Sequence, residues 1–574
     1  MQFFLMIFIL LFSNLFYSFP LYANEAEFSA TLCHDADKIF TNATFLTLNP
    51  KQPIAKALAV TKERIVAVGD EKLLFTHCRG QDTKIIDLKN TTVTPGFIDA
   101  YSQFVLYGWL ANNAIDLSST NVFQRSDWKP IKTLDQFLTV IKTHKKDSEQ
   151  WLIFSGYDES RIRGEPLTGT LLEEITNDSP VIVFYASGEK ALLNQAAINK
   201  IKDENNGETM TIESNGTVHG ASLNKLLSTL ITTNEAAKAI KTAANHYARQ
   251  GYTTITQVYG PGDWLRIYDH ETRMPHFPVD VIYNPSTLAD KQRLNVIFQD
   301  NPRLYSGPLL LQVDGMAQDL SAYLTQPYFQ SSSIHGRNWH GSLKQSPKKI
   351  EQAMSQANKK GFAIAFDSHG DAATDFSLNI IQKMQLTSQN HGPKPVIFNV
   401  QYIRDDQLNR MRQMGIKASW FGPYLYYWGE SMCYEGLGSE RAHRSNPLAS
   451  AKKILGSISV HAGTPSAPPT PLQIMNWLTT RKVQRWNYPV NRKCPQYFAI
   501  NERISTEDAL RMFTINAAEF YGIDADKGSL IPGKLADMSI LSGNPLENNA
   551  QTINVLGTIA RGVLHWNRPN NSNH

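Results

Sequence analysis

The sequence has almost no charge bias: 56 Lys and Arg stand against 52 Asp and Glu over 574 residues, a formal net charge of +4. With no basic stripe and no long like-charge run, a nucleic-acid partner has no electrostatic footprint here. Cysteine is scarce too. The four, Cys33, Cys78, Cys433 and Cys494, form no C-x-x-C pair, which argues against a zinc knuckle or a thioredoxin-like motif. After the first residues no apolar run is long enough to cross a bilayer. The partner these absences leave is a small molecule.

What is present begins with a leader. Residues 1–23 carry no charged side chain and hold an apolar run that ends in a polar, proline-containing stretch, so they read as a signal peptide with Asn24 as the mature start. A secreted or periplasmic location follows, with no stable membrane span after signal removal. An even cysteine count in an oxidising compartment points to disulfides. Of the three pairings possible, Cys33 with Cys78 and Cys433 with Cys494 are favoured because each pair falls within one region; four buried free thiols are the alternative.

Residues 36–95 alternate apolar and polar positions between Asn, Gly and Pro turns, the pattern of antiparallel hairpins. "GSLIPGKLADMSILSGNP" and "INVLGTIARGVLHW" near the C-terminus have the same character, so a small composite β-sandwich built from both ends is expected. The long middle has another rhythm. Short apolar runs such as "SPVIVFYAS", "YTTITQVYG", "GPLLLQVDG", "KGFAIAFDSHGD", "KPVIFNVQY" and "GSISVHAG" alternate with polar-faced helical segments. Runs of this length fit doubly buried parallel strands. The α/β class that results is a (β/α)8 TIM-like barrel with insertions. The predicted boundaries are 24–95 for the first part of the sandwich, 96–514 for the barrel and 515–574 for a helix and strands that complete the sandwich.

In such barrels chemistry sits where strands finish. The residues ending the runs include Asp99, Tyr101, Gln103, Ser187, Glu189, Gln257, Asn284, Asp314, Asp367, His369, Asn399, Gln401, Trp420 and His461. The set is rich in carboxylates, amides and aromatics and poor in histidine.

The ordered pieces "ADKIFTNATFLTLN", "TPGFIDA", "SGYDESRI", "GFAIAFDSHGDAA", "LGSERAHRSNPLASA", "HAGTPSAPPTPL" and "GSLIPGKLADMSIL" resemble the amidohydrolase superfamily, in particular its amidohydrolase-3 branch of N-substituted formamide deformylase-like proteins. The resemblance implies a hydrolase of non-peptide C–N bonds in small amide-like molecules. It also implies a divalent metal such as zinc that activates water. Mapped residue by residue, however, its two first-strand histidines fall on Tyr101 and Gln103 and its bridging lysine on Leu310. Its later histidines fall on Asp367 and Asn399, and its catalytic aspartate on Gly463. The sequence therefore assigns no metal ligand and no cofactor.

The candidate catalytic pair is Asp367 and His461. Tyr101, Gln103, Asp314, Asn399, Trp420, Tyr424 and Arg441 are the candidate substrate-binding residues. Bland roles stand beside several of these: His461 bonded into the barrel rim, Asp371 of the Asp367-x-His369-x-Asp371 triplet as a helix cap, the aromatic cluster around Trp420 and Tyr424 as a packed lid, and Arg441 in helix pairing. Two functions are open: a hydrolase with lost or altered metal-dependent activity, and an exported pseudoenzyme that binds a small ligand or a protein through the retained pocket.

Overall fold

The computed structural model describes residues 33–144, 150–162, 165–176, 179–204, 210–329, 336, 338–387, 393–486, 488 and 493–567. The predicted leader lies outside these. Among these residues the architecture is mixed α/β, with four sheets. The first joins the two ends of the chain: Lys38–Leu46, Ala57–Thr61, Arg64–Gly69 and Lys84–Pro95 from the front, with Met538–Leu541, Val555–Ala560 and Val563–Asn567 from the back. Lys84–Pro95 lies between Lys38–Leu46, parallel to it, and Met538–Leu541, antiparallel to it. Both expected disulfides are formed, Cys33–Cys78 and Cys433–Cys494.

Two further sheets are wholly parallel. One runs Leu304–Ser306, Asp280–Asn284, Tyr252–Val258, Phe97–Ile98; the other runs Leu309–Gln312, Ile364–Ser368, Val396–Asn399, Lys417–Phe421, Ser459–His461. Nearly every residue in these strands is buried, which is why the sequence shows continuous apolar runs there instead of alternation. Backbone hydrogen bonds bridge the two sheets at both edges. Leu310 N–H donates to Pro285 O at 2.8 Å on one side; Gln103 N–H donates to Thr464 O at 2.9 Å and Gly463 N–H to Tyr101 O at 3.2 Å on the other.

The run Ser179–Ser187 departs from expectation. Its strand, Val181–Tyr185, joins Leu152–Tyr157, Ile115–Asp116, Lys190–Leu193 and Thr217–His219 in a separate five-stranded sheet inserted after the first strand of the parallel set. A short apolar run reports double burial but not which sheet provides it.

Helix packing sets the rim. Thr232 caps the helix Thr233–Arg249 by accepting from Glu235 N–H. Ala236, Ala239, Ile240, Ala243, Ala244 and Tyr247 recur at helical spacing and are buried. This face packs on helix Phe104–Asn113 at Gly108, where a Cβ would lie 2.0 Å from Ala239 O. The close approach carries the Tyr247 hydroxyl to within 2.8 Å of Asp99.

Candidate functional site

Asp367, near the end of strand Ile364–Ser368, is fully buried and collects four neighbours. The Tyr101 hydroxyl donates to its Oδ2 at 2.7 Å, and the Tyr259 hydroxyl donates to the same oxygen. Asn399 Nδ2 donates to Oδ1 at 2.5 Å, and His369 Nε2 lies 3.1 Å from Oδ1. The imidazole approaches off line, so this last contact is an ion pair and neither His369 nitrogen makes a formal hydrogen bond.

Asn399 reaches Asp367 through its backbone. In a regular strand it would face away from Phe398, whose ring packs beside Tyr101. Its φ of 75° turns the side chain round, a left-handed conformation that asparagine adopts more readily than most residues.

The electrostatics follow from burial and pairing. Burial works to raise the Asp367 carboxyl, but His369 and the hydrogen-bond donors outweigh it and hold the group below the usual carboxylate range. Burial works to lower His369, yet Asp367, with Asp314 and Glu189 further off, pushes it up to about 9. A protonated imidazole facing an ionised carboxylate is therefore the resting state at neutral pH.

Glu189 extends this group outward. Gln312 Nε2 donates to its Oε1 at 3.1 Å, and Lys344 Nζ lies 3.3 Å from Oε2. Burial raises the Glu189 carboxyl; Lys344 and His369 oppose that, and the Asp367 charge adds to it. Lys344 in turn is held above its ordinary value because Glu189 and nearby aspartates outweigh its burial.

His461 is also fully buried but has no polar partner. Its ring stacks on Phe421 at 5.7 Å and 11° and lies 4.9 Å from Tyr101; neither nitrogen is hydrogen-bonded. Burial pushes it down to about 3, so it is neutral. At Gly463, two residues on, φ is +67° and a Cβ would come within 2.6 Å of the Phe421 ring, so the position has no room for a carboxylate.

The other predicted residues divide. Tyr101 and Asn399 join Asp367. Gln103 turns aside, its Nε2 3.4 Å from Ser187 O. Asp314 accepts backbone N–H groups of His369, Gly370 and Tyr323 at 2.8–2.9 Å and is pushed up to about 7 by burial; it holds the turn that presents His369. Asp99 plays a similar part under Ala462 N–H and Tyr247, and burial likewise pushes it up to about 7. Trp420 is buried with its Nε1 unpaired. The Tyr424 hydroxyl pairs with that of Tyr402. Arg441 ties down the carbonyls of Gln326, Pro327 and Leu437. Asp371 opens the helix Asp371–Thr387 and accepts from Thr325 and Arg404, away from Asp367.

Two members of the group escaped sequence reasoning. Tyr259, with φ 49°, sits one residue beyond its strand, and Lys344 comes from a loop with no motif of its own. The Tyr-Gly pair closing "YTTITQVYG" was the one available signal for Tyr259. Leu310 packs with Tyr101, Ala365 and Phe398 in one apolar cluster. Among the described residues, no three His, Cys, Asp or Glu side chains come together in a way that could hold a metal ion.

Comparison with known proteins gives consistent results. A family model described as "Amidohydrolase family" matches residues 84–564. The chain is 25% identical to Protein LONG AFTER FAR-RED 3 of Arabidopsis thaliana, covering 92% of this chain and 91% of that protein. It is 24% identical to N-substituted formamide deformylase of Arthrobacter pascens, covering 93% and 98% respectively. Among solved structures, an uncharacterized metal-dependent hydrolase from Pyrococcus horikoshii OT3 superposes with a TM-score of 0.70 at 20% identity, over 90% of this chain and 99% of that one.

Proposed function

Since this chain belongs to the amidohydrolase family, we propose that it is a family barrel whose centre binds a small polar molecule without the divalent metal, its hydrolysis of amide-like C–N bonds lost or altered. The two parallel sheets, bridged at both edges, support their reading as one eight-stranded (β/α)8 barrel over 96–514, with Leu304–Ser306 and Leu309–Gln312, which run in succession along Asp280–Asn284 and Pro285, counted as one interrupted strand, and with 24–95 and 515–574 forming the second unit. The two disulfides favour a secreted or periplasmic location.

One observation carries the proposal. Three donors hold the Asp367 carboxylate, Tyr101 and Tyr259 on one oxygen and Asn399 on the other, and the protonated His369 imidazole lies 3.1 Å from that second oxygen. Of the roughly four lone-pair sites of a carboxylate, three are taken and the fourth faces a positive charge, which opposes a metal cation there and makes the group a poor base toward water. The remaining mapped positions do not fit zinc either, because Leu310 and Gly463 have no donor atom, Gln103 faces Ser187 and the Asn399 amide is spent on Asp367. Zinc sites are built from thiolate, imidazole and carboxylate ligands.

The family's hydrolase activity is the second reading, and the deformylase relative gives it N-substituted formamides as the first substrates to try. Elemental analysis of the exported, purified protein, with a formamide and amide turnover screen, separates the two. The proposal expects no stoichiometric metal and no turnover from a cooperatively melting protein. About one metal ion per chain that survives dialysis, with hydrolysis that a chelator abolishes, would overturn it.

A further inference from the structure

The Asp367 centre is closed. Asp367, His369 and His461 are 0% exposed, Asn399 1% and Tyr101 3%, so a ligand has to displace something to reach them. Of the four side chains around the Asp367 carboxylate, Tyr259 alone is partly exposed. Its ring meets Tyr101 edge-on, with 6.4 Å between centroids and 82° between planes.

The cover is also where the backbone is strained. Tyr259 has a φ of 49°, in the left-handed region that is costly for a bulky side chain. Its neighbours are tied down. Val258 N–H donates to Ser102 O at 2.9 Å, and Gly260 O accepts from the Tyr283 hydroxyl at 3.3 Å. At Gly260 a Cβ would lie 2.8 Å from the Trp264 ring, so the chain beyond Tyr259 has no room to move with it. The backbone tie at Tyr259 itself, Gln257 Nε2 on its carbonyl, is shared with Val258 O; one carbonyl can turn away while the other keeps the donor. Against the strain stands the hydrogen bond from the Tyr259 hydroxyl to the Asp367 carboxylate. A charge-assisted hydrogen bond and a left-handed φ are of similar size and opposite sign, so closure holds by a small margin. Strain of this kind concentrates at ligand clamps and switches.

We propose that Tyr259 is the gate of the Asp367 centre: its side chain swings off the carboxylate to admit a small polar ligand and returns to cover it. The proposal rests on the reading of this centre as a small-molecule binding site and adds the step that controls entry. It requires a minor open population in the free protein, in which φ relaxes and the hydroxyl bond is lost.

The test is hydroxyl-radical footprinting of the whole exported protein, read residue by residue by mass spectrometry. Tyr101 reports on the centre, and Tyr252 and Tyr268, each 0% exposed, report on the rest of the fold. Tyr259→Phe keeps the ring and removes the bond that opposes the strain, and it is expected to raise the oxidation rate of Tyr101 about tenfold or more. Tyr259→Gly, which accepts the φ without strain and removes the ring, is expected to leave Tyr101 open throughout. Tyr252 and Tyr268 should stay protected in both variants. Tyr101 as protected in both variants as in wild type, or a rise shared by Tyr252 and Tyr268, would overturn the gate. Neither result bears on metal content or turnover, so the metal-free reading stands or falls on its own assay.

Discussion

Replacing Asp367 by asparagine keeps the shape of the side chain and deletes one buried charge. His369, fully buried beside it, then has no close counter-charge, and two tyrosine hydroxyls face an amide where they had a carboxylate. The size of the effect follows from His369, raised from 6.5 to about 9. At about 1.4 kcal/mol for each pH unit this is roughly 3 kcal/mol, in line with the roughly 3–5 kcal/mol lost when one partner of a buried pair is removed. The sign is fixed by linkage. A raised histidine contributes stability that is complete below about 6.5 and is lost as pH rises through about 9. A lowered carboxylate contributes stability that is present above its unfolded value of about 3.9 and is lost as pH falls. Urea unfolding of wild type and Asp367→Asn at a series of pH values should therefore show a difference of about 3 kcal/mol near pH 6. The difference should shrink as pH rises through about 9. A difference below about 1 kcal/mol near pH 6, or one that stays flat across the alkaline range, would refute the ion pair.

His461→Phe should behave in the opposite way. The imidazole has no polar partner inside an aromatic box, so an apolar ring is expected to change stability by no more than about 1 kcal/mol, measured by the same unfolding assay; a loss of several times that would mean that a nitrogen is bonded. Asp280→Asn removes one of two carboxylates from each of two buried cations: Lys527, 2.7 Å from Asp280, keeps Asp537, and Arg561, 2.8 Å from it, keeps Glu63. The expected cost is roughly 1.5–3 kcal/mol, that of losing hydrogen bonds between charged groups while each cation keeps a counter-charge. Because the Asp280 carboxyl is held low despite its burial by Lys527, Arg561 and Arg303, this contribution should fade as pH falls, and a pH series of melting temperatures checks both points. Reducing the two disulfides reopens loops with separations of 45 and 61 residues. By chain entropy each is worth about 4 kcal/mol, so the reduced protein should unfold at markedly lower urea.

The sequence exposed the strands because doubly buried strands cannot hide their apolar content, and Tyr252–Val258, Asp280–Asn284 and Ile364–Ser368 were all legible for that reason. Val181–Tyr185 carries the same signature and lies in a different sheet, since periodicity records burial and not the neighbour. Of the site, Asp367, Tyr101 and Asn399 were readable as strand-end residues. Their mutual contact was not, because it depends on the left-handed turn at Asn399. Asp367-x-His369-x-Asp371 has even spacing, yet the chain turns into a helix at Asp371, so only its first two members meet. Glu189 stood among the strand ends, but its partner Lys344 lies on a loop, where no period marks a residue as part of a site.

The sheet that joins the two chain ends also constrains how the protein is made. Strand Lys84–Pro95 has one neighbour within the first hundred residues and takes its other, Met538–Leu541, from near the finish of the chain. As the polypeptide emerges, that edge stays unpaired through synthesis of everything between, and bare strand edges invite pairing with other chains. Contacts so distant in sequence form slowly. A ribosome that stalls before Met538 would thus release a chain with an open edge, which gives Met538–Leu541 a protective role out of proportion to its length.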